Sequence, residues 1–100
     1  TEAIVGEEAV ETLDKYNFTK GFWGTNGISV TKGFSTPEVK EAMVKKHSME
    51  NCKKCYILAD SSKFDRMSSV KFADFDQATV LTTGLLKPAL KKYKNIVEVK

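Results

Sequence analysis

The chain has 100 residues, of which 41% are hydrophobic and 29% charged, and its formal net charge is +3. This composition is typical of a globular domain and excludes intrinsic disorder, which needs low hydrophobicity together with high net charge. The length predicts one domain over residues 1–100, no apolar run approaches the roughly 20 residues of a membrane-spanning helix, and no secretory signal is visible. Because the chain begins at Thr1 rather than Met, we expect either a processed chain or a piece of a longer protein.

The first predicted elements are one helix and two short strands around a glycine-rich bend. Acidic residues crowd the first turns of Glu7–Tyr16, where the positive end of a helix dipole favours them. Short strands are predicted at Gly21–Gly24 and Ile28–Val30. Gly24–Gly27 joins these strands with an Asn-Gly step, which is a strong turn signal because both residues tolerate positive φ.

The clearest helix start in the sequence predicts a helix over residues 37–50. Thr36 before Pro37 fits an N-cap followed by proline at the first helical position. Ser35 with Glu38 three residues on fits a capping box, so two interpretations that differ by one residue stay open. The predicted apolar stripe consists of Val39, Ala42, Met43 and Met49. The lysines predicted to be solvated are Lys40, Lys45, Lys46 and Lys53.

The second half of the chain alternates strands with short helical segments. Tyr56–Ala59 is an apolar run that fits a strand buried on both faces, as in parallel sheets. This pattern predicts an α/β fold with a mostly parallel sheet and flanking helices, whose ligands bind at the carboxyl ends of the strands. Gly24–Gly27 and Asp60–Lys63 occupy such ends. The other predicted elements are strands at Val70–Phe72, Thr79–Thr82 and Ile96–Val99 and a short helix at Pro88–Lys94.

The segment that follows Tyr56–Ala59 offers a candidate anion site. Free backbone N–H groups of Ser61 and Ser62 would hold an anion, and the Lys63 ammonium would neutralise it. The alternative is an ordinary turn in which Asp60 or Ser61 caps a helix. For the bend around Asn26, either the glycines let the backbone approach a ligand closely or the segment is only a common turn.

The remaining chemistry-bearing residues favour structural interpretations. Cys52 and Cys55 follow a helix and open a strand, so the helix dipole has the wrong sign for redox activation, and a zinc site would lack a ligand even with His47. Glu41 and Lys45 form an i,i+4 pair typical of a helix surface, and the lysines near the carboxyl terminus favour a solvated helix face over a nucleic-acid contact. The residues therefore predict no catalytic site, no metal and no cofactor.

Several segments in combination resemble the C-terminal effector domain of DeoR-family bacterial transcriptional repressors. The most specific are Gly-Thr-Asn-Gly-Ile at residues 24–28 and Leu-Ala-Asp-Ser-Ser-Lys-Phe at residues 58–64. Within the family the chain is similar to the lactose or fructose phosphotransferase-system repressors. The other segments that carry the resemblance are Ile4-Val5-Gly6, Phe22-Trp23, Gly33-Phe34-Ser35-Thr36, and Glu38 with Glu41 and Lys45.

The resemblance implies a fold similar to ribose-5-phosphate isomerase and CoA-transferase-like proteins, present here as a C-terminal fragment. It also implies a cytoplasmic regulator, not an enzyme, that binds a phosphorylated sugar and forms a homo-oligomer. Contact with operator DNA is implied through an N-terminal helix-turn-helix that is absent from this chain, and no membrane contact is expected. The predicted effector-binding residues are Gly24, Thr25, Asn26, Gly27, Lys32, Glu41 and Lys63.

Comparison with the isomerases separates binding from catalysis. Two carboxylates of the isomerase motif fall on Trp23 and Asn26, neither of which can carry a negative charge. Lys32 and Glu41 keep the isomerase spacing between a lysine and a general-base glutamate, and Lys63 matches the lysine of the family's Asp-x-Ser-Lys motif. Proton transfer needs a base in a polarising environment, so this pattern favours a binding pocket over an isomerase remnant. A ligand-free oligomerisation module is the third interpretation.

Overall fold

The computed structural model describes residues 18–84 and 86–99, and the helix predicted over Glu7–Tyr16 lies outside the described residues. Within the described ranges, no helix is long and apolar enough to cross a membrane. The strands are β1 (Phe18–Gly24), β2 (Gly27–Ser29), β3 (Gly33–Thr36), β4 (Cys52–Asp60), β5 (Val70–Ala73), β6 (Thr79–Thr83) and β7 (Ile96–Glu98). The helical elements are α1 (Val39–Glu50) and short 3₁₀ turns at Ser61–Lys63, Phe75–Gln77 and Pro88–Leu90.

Four strands form a parallel sheet in the order β1-β4-β6-β7. Ile57 and Val80 are paired across β4 and β6 and are completely buried. Burial of each such side chain contributes about 1.5–3 kcal/mol, and β-branched residues suit the pleated surface of a strand. Together with the helix that packs on it, this sheet confirms the predicted α/β fold with a mostly parallel sheet.

A second, antiparallel sheet has the order β2-β3-β5. The strands predicted at Ile28–Val30 and Val70–Phe72 are confirmed as β2 and β5, and both belong to this separate sheet. The sequence did not predict β3, whose Phe34 is completely buried. Gly33 opens β3 with a φ of 89°, a left-handed conformation that favours glycine and closes the β2–β3 hairpin.

The helix predicted over residues 37–50 is confirmed as α1, but both predicted caps are wrong. Glu38 occupies the N-cap position and makes no side-chain cap hydrogen bond. Ser35 and Thr36 belong to β3 instead, because pairing with β5 holds that segment in an extended conformation. The two hydroxyl groups are consequently available for contacts inside the fold.

The buried face of α1 differs from the predicted apolar stripe. Ala42 and Met49 are buried as predicted, whereas Val39 and Met43 are 60% and 41% exposed. The reason is that α1 packs against β4 of the parallel sheet and against β3 and β5 of the antiparallel sheet. Contacts with both sheets therefore decide which residues of α1 are buried. The buried Ser48 belongs to this face and accepts a 2.8 Å hydrogen bond from the indole N–H of Trp23.

The two faces of the parallel sheet differ in exposure. Ile57 is completely buried under α1 and the small sheet, whereas the next residue, Leu58, is 50% exposed. Leu58 pairs with Leu81, which in turn pairs with the 42% exposed Val97, so one apolar row crosses the open face. The prediction that Tyr56–Ala59 is buried on both faces is therefore wrong for Leu58, because the described elements that pack on the sheet cover only the opposite face.

Candidate functional site

The carboxyl ends of three parallel strands lie at one edge of the sheet. Gly24 at the end of β1 pairs with Leu58, and Asp60 at the end of β4 pairs with Thr83 near the end of β6. The loops that follow β1 and β4, called here the first tip loop (residues 24–27) and the second tip loop (residues 60–66), therefore share this edge. Ligands of parallel α/β sheets bind at such an edge.

The two tip loops are also in direct contact through their backbones. Ile28 forms a parallel bridge with Phe64, and the Asp65 N–H donates a 2.9 Å hydrogen bond to the Ile28 carbonyl oxygen. A Cβ atom on Gly27 would overlap with the Arg66 carbonyl oxygen, so this close approach requires glycine. The relative position of the loops is consequently fixed by the main chain and does not depend on flexible side chains.

Within the first tip loop, the Thr25 side chain stabilises the loop conformation. Its hydroxyl lies 2.9 Å from the Gly27 carbonyl oxygen and 3.1 Å from that of Ser35, and its side chain is buried. The Asn26 N–H donates a 3.0 Å hydrogen bond to the same Ser35 carbonyl. The loop is thereby tied to β3, while the Asn26 side chain is exposed at the edge.

Thr36 joins two of the predicted site residues, although 15 positions separate Asn26 from Glu41 in the sequence. The Thr36 hydroxyl, which is completely buried, lies 3.3 Å from the Asn26 Oδ1 atom and 3.3 Å from the Glu41 Oε2 atom. Sequence reasoning assigned Thr36 to a helix cap and missed this role, because the contact to Asn26 depends on the pairing of β2 with β3.

Lys45 was predicted to be solvated, and the structure corrects this. Its Nζ atom donates a 2.9 Å hydrogen bond to the Gly24 carbonyl oxygen and lies 5.2 Å from the centre of the Phe72 ring. Partial burial lowers the pKa of the Lys45 ammonium, and the nearby Glu41 carboxylate opposes that effect. The i,i+4 spacing to Glu41 was visible in the sequence, whereas the contact with the end of β1 was not.

The second tip loop begins with an Asp60 cap. The Asp60 carboxylate accepts a 2.9 Å hydrogen bond from the Ser62 N–H and a further one from the Ser62 hydroxyl. These two bonds lower the pKa of Asp60, with smaller contributions from the charges of Lys63 and Arg66. The Ser62 N–H is therefore not free to bind an anion, and the capping alternative is the one found here.

The cations of the second tip loop lie near that cap. Lys63 is partly buried at the end of the 3₁₀ turn, and Arg66 is exposed two residues after Phe64. The charges of both contribute to the lowered pKa of Asp60, although less than the Ser62 hydrogen bonds do. Sequence reasoning singled out Lys63 but missed Arg66, which lies beyond the motif. The role of Lys63 in binding stays a prediction.

Lys32 lies apart from the other predicted site residues. It belongs to the turn that connects β2 to β3, where its N–H donates a 3.1 Å hydrogen bond to the Ser29 hydroxyl. β2 begins at Gly27 beside the first tip loop and leads away from it, so Lys32 lies at the opposite end of this hairpin. The structure brings Asn26 and Glu41 together through Thr36 but does not bring Lys32 to them.

The other residues weighed for catalysis or metal binding lie on β1, α1 and β4. The indole of Trp23, which stands where the isomerases have a carboxylate, donates to Ser48 of α1. Across residues 18–84 and 86–99, no group of three His, Cys, Asp or Glu side chains is arranged to hold a metal ion. Cys52 opens β4 directly after α1, as predicted, and Cys55 follows it at the amino end of that strand. His47 is partly buried on α1.

Three relatives are named as transcriptional regulators. The uncharacterised HTH-type transcriptional regulator FruR of Bacillus subtilis (strain 168) is 38% identical over 100 residues, which cover 100% of this chain and 40% of that protein. The HTH-type transcriptional regulator IolR of the same strain is 35% identical over 84 residues, 84% of this chain and 34% of that protein. The lactose phosphotransferase system repressor of Streptococcus mutans serotype c is 30% identical over 101 residues, 97% of this chain and 40% of that protein.

The α/β fold and these relatives define a regulatory domain of the helix-turn-helix transcriptional regulators. The chain belongs to the DeoR C terminal sensor domain family, whose match covers residues 1–84. The family and the relatives are transcriptional regulators and not enzymes, which confirms the predicted family, regulatory role and non-enzymatic class. The chain spans 40% or less of the length of these three relatives.

Proposed function

We propose that this chain is the C-terminal part of one effector-binding domain in a bacterial transcriptional repressor of sugar uptake or metabolism. The whole protein acts in the cytoplasm as a homo-oligomer and contacts operator DNA through an N-terminal helix-turn-helix outside this chain. Support comes from the sensor-domain family and from the name of the relative that represses a lactose phosphotransferase system.

The proposed effector is a phosphorylated sugar bound at the edge formed by the two tip loops. Asn26 offers an exposed amide for sugar oxygens, and Gly24 has open space where a Cβ atom would stand, so a ligand can approach the backbone there. Lys63 supplies the positive charge for the phosphate, since hydrogen bonds to charged groups are the stronger ones. Thr25 and Gly27 hold this edge in shape.

The observation that carries this proposal is the backbone contact between the two loops. Because the Asp65 N–H is bonded to the Ile28 carbonyl at 2.9 Å, the segment that follows Lys63 is held against the segment that follows Asn26, although the two are distant in the sequence. In a repressor, such a ligand acts by binding one arrangement of the protomers more tightly than another. Differential affinity for the two states is the only way in which it can shift the equilibrium that controls DNA binding.

The test is calorimetry on the intact protein that contains this chain. Fructose 1-phosphate, fructose 6-phosphate, glucose 6-phosphate and ribose 5-phosphate serve as probes. For a probe that binds, Lys63→Ala raises the Kd by more than about tenfold, since loss of a hydrogen bond to a charged group costs about 1.5–3 kcal/mol. The matched control is Lys53→Ala, which removes the same charge from the exposed amino end of β4.

The two variants separate a specific contact from a general effect of charge. If Lys63→Ala and Lys53→Ala lose the same binding affinity, or if neither loses any, Lys63 does not belong to the site. If the melting temperature of the intact protein is unmoved by every sugar phosphate, the ligand-free oligomerisation module is favoured instead, because a ligand that binds only the native state must raise that temperature.

A further inference from the structure

The Thr36 hydroxyl has a place in the fold that the proposed binding site does not explain. It is completely buried, yet it lies 3.3 Å from an oxygen of Asn26 and 3.3 Å from an oxygen of Glu41. A hydroxyl carries a single hydrogen, so it donates to only one of these two acceptors at a time. Asn26 and Glu41 therefore compete for the same hydrogen.

We propose that Thr36 is a positioning residue for Asn26, that Glu41 competes with Asn26 for the Thr36 hydrogen, and that the ligand presents an acceptor oxygen to the Asn26 Nδ2 group. This inference rests on the proposed function. When Thr36 donates to Oδ1, the amide of Asn26 is held in one orientation and its Nδ2 donors face away from Thr36. Asn26 is exposed at the edge of the sheet, so those donors are left for a ligand.

In this arrangement Glu41 acts through Thr36 and does not touch the ligand. Its carboxylate competes with the Asn26 Oδ1 atom for the Thr36 hydrogen, because both oxygens lie 3.3 Å from that hydroxyl. A glutamine at this position has an Nε2 group that donates to the Thr36 oxygen, which leaves the Thr36 hydrogen for Asn26. If Glu41 bonded directly to sugar hydroxyls, Glu41→Gln would instead weaken binding, because it would remove a contact with the ligand.

The experiment is a double-mutant cycle in binding affinity, measured by calorimetry on the intact protein with the sugar phosphate among the four probes that it binds most tightly. Thr36→Val keeps the shape of the side chain and removes the hydroxyl, and we expect it to raise the Kd about tenfold. In Asn26→Ala, the further change Thr36→Val has no additional effect, because a residue that acts through Asn26 has nothing left to position.

Two further variants control for folding and for the role of Glu41. Thr36→Ser retains the hydroxyl and restores the Kd to within about twofold of the wild type. Glu41→Gln binds at least as tightly as the wild type. Multiplicative losses in the double variant, failure of Thr36→Ser to restore binding, or a loss in Glu41→Gln equal to that in Thr36→Val each overturn the positioning role.

The outcomes distinguish this inference from the proposed function. If the wild type binds a probe and Lys63→Ala weakens it, while Thr36→Val has no effect, the sensor function stands and the positioning role is overturned. If the wild type binds none of the four sugar phosphates, the proposed function is overturned and this inference with it.

Discussion

The Lys45 ammonium donates a 2.9 Å hydrogen bond to the carbonyl oxygen of Gly24, which joins the middle of α1 to the last residue of β1. Gly24 is also where the first tip loop begins, so the helix and the edge of the sheet are connected at the candidate site. The pKa of Lys45 is lowered because partial burial penalises the charged ammonium more than Glu41 stabilises it.

The partial burial of Lys45 makes the free energy of unfolding depend on pH. Because the pKa of Lys45 is lower in the folded state, the penalty for burying its charge is present at neutral pH and is relieved as the pH rises toward the ordinary value of 10.5. We therefore expect the free energy of unfolding of the wild type to rise relative to that of Lys45→Met between pH 7 and pH 10. Urea unfolding of both proteins at the two pH values measures this difference.

The control for Lys45 is the next residue. Lys46 is exposed on α1, so Lys46→Met should follow the wild type at both pH values. A difference between wild type and Lys45→Met that stays constant with pH would contradict the lowered pKa, whatever the size of that difference.

Gly27 and Gly24 form a natural pair for testing the contact between the tip loops. Gly27→Ala places a methyl group against the Arg66 carbonyl oxygen, whereas Gly24→Ala meets no atom within 4 Å. Overpacking of this kind costs about 1–3 kcal/mol, and a substitution into open space stays within about 0.5 kcal/mol. The free energies of unfolding from denaturant titrations check both values. Equal effects at the two glycines would argue against the close approach of the loops.

The Cys55 thiol is predicted to be unreactive at neutral pH. Partial burial raises its pKa to about 11, with the neighbouring Cys52 contributing through its charge and a hydrogen bond. Since the thiolate is the nucleophile, about 0.1% of Cys55 is reactive at pH 8, and its alkylation by iodoacetamide should accelerate steadily up to about pH 11. Peptide mass spectrometry after timed alkylation gives this rate.

Cys52→Ser separates the two causes of the raised Cys55 pKa. Removal of the neighbouring thiol should lower the Cys55 pKa and speed its alkylation, but the value should stay above the ordinary 9.0 because burial is the larger cause. Rapid alkylation of Cys55 in the wild type at pH 8 would be inconsistent with this environment.

The elements of the parallel sheet were predictable because their signals are local. The apolar run around Ile57 and the segment around Val80 were both predicted to be strands, and both residues are completely buried. β3 could not be predicted in the same way. Its Ser35 and Thr36 precede Pro37, a pattern typical of a helix start, and pairing with β2 and with β5, more than thirty residues away, makes the segment a strand.

The candidate site was likewise predictable from local motifs but not from contacts between distant residues. The motifs around Asn26 and Lys63 pointed to two loops, and the parallel pairing of β1 with β4 accounts for their shared edge. Lys45 was assigned to the solvent because its only visible partner in the sequence was Glu41, four residues earlier. Its contact with Gly24 spans 21 residues, and no local pattern reports a bond of that kind.

The Asp60 cap supports the last prediction, which concerns the loop that carries Lys63. The Ser62 hydroxyl is the largest cause of the lowered Asp60 pKa, ahead of the Ser62 N–H and the charges of Lys63 and Arg66. Ser62→Ala should therefore raise the Asp60 pKa toward its ordinary value of 3.8, and carbon-13 NMR titration of the aspartate side chains in the intact protein measures it. A control in the same loop is Ser61→Ala, which leaves both Asp60 hydrogen bonds in place.

The sign of the stability effect follows from the same shift. Because the folded-state pKa of Asp60 is depressed, its contribution to stability is present above the ordinary value of 3.8 and is lost as the pH falls through the folded-state pKa. Ser62→Ala should thus lose stability relative to the wild type at pH 7 and approach it in strong acid, where Asp60 is protonated in both proteins. A stability difference that is unchanged by acid would show that Ser62 supports the turn through packing and not through the Asp60 carboxylate.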